Sequence, residues 1–168
     1  YNTDKESSGG EEVKAAKETL KNSIASANAI KENEYYPYFF QKKEDQTNFE
    51  GVITYSQGIY DSGSSTLDQI NTANDAITNS IKNTNSQITT FNNLRFALSS
   101  NITQATNYVN ASDFDNYSTA TVRSNIKKYL AEAKTVNDDK TSTYAQCLTA
   151  YQNLSTPLQT YTKAKTNG

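Results

Sequence analysis

Few side chains in this 168-residue chain are equipped for covalent chemistry. It contains no His and one Cys, which excludes imidazole-assisted catalysis, His or multi-Cys metal centres and an internal disulfide. Cys147 falls on an apolar helical row, where a thiol behaves as a small hydrophobe; a reactive thiolate needs exposure and cationic neighbours. The acid pairs Asp113/Asp115 and Asp138/Asp139 lack the spacing of a calcium loop and read as turn and helix-cap residues. No Gly-rich loop is present to cradle phosphate. With no acid–base pair in evidence, the sequence reads as non-enzymatic, with no catalytic, metal or cofactor-binding residues and no cofactor.

What remains is recognition chemistry. The run Tyr35-Tyr36-Pro37-Tyr38-Phe39-Phe40 places five aromatics beside one proline near a helix–helix loop. Such a run can form a stacking platform for sugar or a hot spot for a protein partner. Alternatively Pro37 starts a helix, and Tyr36, Phe39 and Phe40 close a thin core, leaving Tyr35 and Tyr38 exposed. Tyr35 and Tyr38 are therefore the first two candidates for partner binding. Arg95 is the third: it could take an acidic group of a partner, or snorkel to water where an apolar seam turns outward. Lys127, Lys128 and Lys134 lie among Tyr129, Leu130, Glu132 and Ala133, an ordinary solvated helix face. A net charge of -2 argues against nucleic acid, whose phosphates need cations. No stretch approaches the ~20 apolar residues of a membrane span, so membrane insertion is not expected. The opening residues YNTDKESSGG do not read as a signal peptide, so any targeting segment is expected to be missing or already removed.

The elements that would position these residues emerge from spacing. Leu, Ile, Val and Phe make up only 29 of the residues, whereas Asn, Thr, Ser and Gln make up 68, which leaves disorder open on composition. Periodicity decides against it. Leu67, Ile81, Ile88, Ile102 and Val109 are separated by multiples of seven, and so are Ile70, Ile77, Phe91, Leu98 and Ala105. The two rows interleave into one seam, interrupted at Asn74, Thr84 and Arg95. From Ser64 to Thr156 there is neither Gly nor Pro. The spacing predicts one helix over about 65–110, capped by Ser64 or Ser65 and roughly 70 Å long at ~1.5 Å per residue. Its outward face of Asn, Thr and Ser has mediocre propensity, so partner helices must hold it.

Those partners are legible on both sides. Glu11 to about Asn33 carries Val13, Ala16, Leu20, Ile24, Ala27 and Ile30 on one face, and a second segment ends near Asp61 with Phe49, Ile53 or Val52, Ser56 and Ile59. Beyond a turn over 110–116, Tyr117–Val136 carries Val122, Ile126, Leu130 and Ala133. After another turn at 137–139, Thr141 onward presents Tyr144, Cys147, Leu148, Tyr151, Leu154, Leu158 and Tyr161. Pro157 either kinks this last helix or starts a new one after Thr156. The halves repeat. Shifted by 78, Leu20, Ile24 and Ala27 fall on Leu98, Ile102 and Ala105; shifted by 77, Phe49, Ile53, Ser56, Ile70 and Ile77 fall on Ile126, Leu130, Ala133, Cys147 and Leu154. The expected fold is all-α: two tandem three-helix bundles of five helices in all, sharing one long central helix, in an elongated rod. The expected divisions are a disordered tail over 1–10, a first bundle over 11–90 and a second over 91–168.

Tyr117-Ser118-x-x-Thr121-Val122, followed by Ile126, Tyr129-Leu130 and Ala133, resembles the Y-T-x-x-S-W-x-x-L-x-x-A-L-x-x-A pattern of FIVAR modules in Gram-positive surface proteins. Ile102 and Ala105 before it, and Tyr144, Leu148 and Leu154 after it, suit the flanking helices. The resemblance covers about 91–155 well and about 13–81 more weakly: the family Trp is Val122 here, and Gln41 and Asp45 replace Ser118 and Val122 in the first copy. It implies a three-helix module repeated in long cell-wall-attached proteins and associated with host matrix proteins such as fibronectin. Similar modules occur in some secreted carbohydrate-active enzymes, outside their catalytic domains.

Two functions follow as expectations. In the first, the chain is a non-enzymatic stalk and adhesion segment at a bacterial cell surface or wall, a monomer within a longer repeat array. The ratio of 14 Lys to 2 Arg fits an AT-rich, low-GC genome. In the second, it is an accessory module that binds a glycan or a single protein through the Tyr35–Phe40 cluster.

Overall fold

The computed structural model describes the backbone of residues 3–168 and the side chains of residues 9–168. Every regular element among them is helical: α1 Thr3–Ile30, α2 Lys43–Asp61, α3 Leu67–Asn110, a 3-10 turn Phe114–Asn116, α4 Ala120–Asp138 and α5 Tyr144–Asn167. The all-α class and the five helices are as expected. So is the unbroken helix predicted over about 65–110. Residues 3–10, expected as a disordered tail, belong to α1, while residues 1–2 lie outside the described residues. The chain divides into two compact units, Tyr1–Gln87 and Ile88–Gly168, three residues earlier than the expected boundary. Both draw a helical segment from α3.

In the first unit α1 packs on α2, and Ser23 of α1 donates to Asn74 Oδ1 of α3 at 2.8 Å. Leu20, Ile24 and Ala27 of α1, Phe49 and Ile53 of α2, and Ile70, Ala73 and Ile77 of α3 are all buried. In the second unit α4 packs on α5, and Asn101 of α3 donates to Ser155 of α5 at 2.7 Å. Leu98, Ala105, Ile126, Leu130, Ala133, Cys147, Leu154 and Leu158 are buried there. The two heptad rows of α3 divide the labour. Ile70, Ile77, Phe91, Leu98 and Ala105 are fully buried, with Thr84 on the same row, whereas Leu67, Ile81, Ile88, Ile102 and Val109 are half-buried flanks. A buried Ile, Leu or Phe is worth about 1.5–3 kcal/mol, while an exposed Asn, Thr or Ser costs a helix about 0.5 kcal/mol. The buried row therefore outweighs the poor propensity of the exposed face.

The duplication extends to local chemistry. α2 and α4 each span 19 residues and begin 77 apart, at Lys43 and Ala120. α3 and α5 also begin 77 apart, and each opens with a reciprocal cap. Thr66 Oγ1 accepts from the Gln69 amide at 3.2 Å and Gln69 Oε1 accepts from the Thr66 amide at 2.9 Å. Thr143 and Gln146 repeat this at 3.2 and 2.8 Å. Each pair satisfies two amides that the helix start leaves without partners. Thr66, rather than Ser64 or Ser65, is thus the cap of α3. Ser65 instead donates to the Ile59 carbonyl at 2.7 Å, and its counterpart Ser142 donates to the Val136 carbonyl at the same distance. Helix α5 continues through Pro157, so no new helix starts there; the proline is buried, whereas its counterpart in the first copy, Ser80, is half-buried.

Candidate functional site

The aromatic run sits in the connection between α1 and α2. This connection is a chain of turns rather than a helix begun by Pro37, and the Tyr36–Pro37 peptide is cis. Asn33 organises its start: its side-chain oxygen accepts from the Tyr35 amide and its carbonyl from the Tyr36 amide, both at 2.9 Å. At the other end the Gln41 amide donates to Gln87 Oε1 at 3.0 Å, and Gln87 is itself buried on α3. Phe39 and Phe40 are buried, and they form with Tyr36 and Phe49 a cluster of rings whose neighbours lie 4.6–6.4 Å apart, centroid to centroid. This geometry is that of a core closure.

Tyr36 is half-buried, and its hydroxyl donates to Glu50 Oε1 at 2.5 Å. Burial, then the bond to Glu50 and its charge, push the phenol well above its ordinary value, so Tyr36 stays a donor. The bonds from Tyr36 and then Gln46 hold the Glu50 carboxyl below its ordinary 4.5. Tyr35 and Tyr38, expected to be exposed, are both half-buried. Three of the five aromatics thus serve the fold, and a partner would meet only the partly exposed faces of Tyr35 and Tyr38.

Arg95 is not the snorkelling side chain that the seam suggests. Its Nη2 donates to the Asn137 carbonyl at 2.8 Å, in the last turn of α4, and its Nη1 lies 3.6 Å from Cys147 Sγ on α5. The guanidinium also sits 5.6 Å from the Phe91 ring centroid. It therefore satisfies a carbonyl that the helix end leaves without an intrahelical partner, and it ties three helices together. Residue 17, which the 78-residue shift maps onto Arg95, is Lys17; its ammonium donates to the Ser62 carbonyl at 2.9 Å, just past the end of α2. Tyr35 and Tyr38 belong to the first unit, and Arg95 to the internal ties of the second.

Cys147 is buried, as its place on the seam predicts, and burial pushes its thiol up despite the neighbouring Arg95. Of the acids expected in turn and cap roles, Asp139 has one, whereas Asp113 stands at the N-cap of the 3-10 turn without a side-chain cap bond. Asp139 Oδ1 accepts from both the hydroxyl and the amide of Thr141, which hold its carboxyl below the usual range. Asp115 pairs with Arg123 at 3.6 Å and Asp113 with Lys165 at 3.5 Å.

Two features of the second unit escape sequence reasoning. Tyr108, Phe114, Tyr117 and Tyr161 gather at one end of that unit, with the Tyr161 ring 4.8–6.1 Å from the other three. Its buried hydroxyl donates to the Phe114 carbonyl at 3.0 Å. The only signal is the shared tyrosine-rich composition, because these residues lie as many as 53 positions apart in the chain. The second feature is a groove of about 300 Å³ between α3 and α5, walled by Asn101, Gln104 and Tyr151. Tyr151, placed on the apolar face by its spacing, is half-buried at the rim of this groove. No family model, curated protein or solved structure matches the chain.

Proposed function

We propose that this chain is a non-enzymatic stalk and adhesion repeat segment of a bacterial surface protein. The observation that carries this reading is the duplication itself. Helix starts, reciprocal caps, Ser65/Ser142 bonds and Lys17/Arg95 ties recur about 77 residues apart, whereas Tyr35 and Tyr38 fall on Ser112 and Asp115 in the second copy. Selection that retains a unit's internal chemistry but not one surface constellation is what a spacer built of stacked units needs. The FIVAR resemblance adds host matrix proteins, fibronectin among them, as the class of partner, and the outside of a low-GC Gram-positive cell as the location.

Small-angle scattering on the 168-residue chain tests the stalk reading. An elongated particle is expected, and a compact globule would refute it. The adhesion component is tested separately by binding of the chain to immobilised fibronectin. The accessory-module alternative retains the partly exposed faces of Tyr35 and Tyr38 as its contact surface. A chain carrying both Tyr35→Ala and Tyr38→Ala discriminates the two readings: loss of ligand binding at unchanged helicity favours the module, and binding retained favours the stalk.

A further inference from the structure

We infer that the groove between α3 and α5 of the second unit is a binding site for a neutral saccharide. This goes beyond the stalk reading and does not rest on it. The groove measures about 300 Å³, at the lower end of the range for small-molecule sites. Tyr151 and the buried Leu158, 2% exposed, give the lining an aromatic ring and an aliphatic side chain. An aromatic face and an aliphatic side chain suit the C–H-bearing face of a pyranose ring. Around them stand the amides of Asn101, Gln104 and Gln159. A carboxamide both donates and accepts, as a sugar hydroxyl does, and one internal bond leaves most of its capacity unused. Lys163 is the sole charged side chain of the lining, so the site offers neither the carboxylates a cation would need nor the cluster of cations that would select an anion.

The walls are fixed in advance. Asn101 Nδ2 donates to Ser155 Oγ at 2.7 Å, and Tyr108 Oη lies 3.0 Å from Thr162 Oγ1 while accepting from Gln104 Nε2 at 3.3 Å. These two rungs tie α3 to α5 through residues of the lining, so little ordering cost falls on the ligand. The first unit supplies an internal control. At the positions 77 earlier, Tyr151 becomes Asn74 and Gln159 becomes Lys82, so the ring is gone and an ammonium replaces the Gln159 amide, although caps, ties and core are retained. Packing of the repeat therefore does not demand them. An extended peptide is the poorer fit: an added strand needs a sheet edge, and every regular element among the described residues is helical.

The test is an amide ¹H–¹⁵N titration of the 168-residue chain with N-acetylglucosamine, galactose and maltose. The expected result is saturable shifts, with at least one of the three sugars, confined to residues 101–108 and 151–163, at millimolar affinity. Tyr151→Ala and, separately, Gln159→Lys should each weaken binding about tenfold or more while leaving helicity unchanged. If Tyr151→Ala loses helicity, Gln159→Lys, at an exposed position, decides the matter. Absence of saturable shifts with all three sugars would overturn the inference, as would shifts that survive Gln159→Lys or saturation by inorganic phosphate at the same residues. None of these outcomes depends on the scattering profile that tests the stalk.

Discussion

Arg95 and Lys17 show how one position can be filled by either cation when its task is to reach a helix-end carbonyl. The guanidinium does more than the ammonium, since its fork also reaches Cys147 Sγ and lies against Phe91. A charge-assisted bond of this kind is worth about 1.5–3 kcal/mol. Arg95→Ala should therefore destabilise the chain by about 2 kcal/mol in urea unfolding. Arg95→Lys should lose less, as Lys17 illustrates. Ser56 is the opposite case. Its side chain is fully buried on α2, its hydroxyl has no hydrogen-bond partner among the described residues, and its counterpart in the second copy is Ala133. Ser56→Ala should raise stability by about 1 kcal/mol, seen as a higher urea midpoint at unchanged slope. The Tyr36–Glu50 bond gives a pH dependence. Because the folded state depresses the Glu50 carboxyl, its contribution is full above the unfolded value near 4.5 and is lost as pH falls through the folded one. Tyr36→Phe should be destabilising at neutral pH, and the difference from the parent chain should shrink in melts taken at successively lower pH below 4.5.

At the scale of elements, the caps are where sequence reading came closest without arriving. Period seven marks the body of α3 clearly. Its start is set by which hydroxyl meets the third amide onward, and Ser64, Ser65 and Thr66 all offer one. The structure selects Thr66 because Gln69 answers it. Thr66→Ala and Thr143→Ala should each cost about 1 kcal/mol, and the double variant about the sum, since the caps open different helices. Thermal or urea unfolding of the three variants checks both magnitude and additivity. The Tyr35–Phe40 connection is legible as aromatic but not as turns: Pro37 fits a helix start as well as a loop, the Asn33 bond to Tyr35 is local, and Gln87, which holds the Gln41 amide, lies 46 positions from it, where no local rule reaches. Spacing puts Tyr151 on the apolar face, because period alone does not separate the centre of a buried stripe from its rim.

For the whole molecule, α3 is the one element that contributes to both units. Its continuity near the division, at Gln87 and Ile88, is therefore the feature to test. Ser86 is exposed and lies inside the helix, so its replacement tests backbone rather than packing. Ser86→Pro should cost about 3 kcal/mol through the lost bond to the carbonyl four residues back and the ring clash, whereas Ser86→Ala should be neutral or slightly stabilising. Helicity and urea unfolding of the pair measure the difference. Equal behaviour of the two variants would mean that the helix is interrupted there.

The sequence by itself determined the helical class, the five elements, the long central helix and the duplication. Each of these depends on the interval between apolar residues, which repeats along one dimension and can be counted. Only the tertiary structure decided what the individual polar and aromatic side chains do. Arg95 became an internal tie, Phe39 and Phe40 became core, and Tyr151 joined Asn101 and Gln104 around a groove. Those outcomes depend on which residues meet across helices some 50 positions apart in the chain. No local spacing encodes such meetings, because the same side chain is equally at home in water until a partner helix arrives beside it.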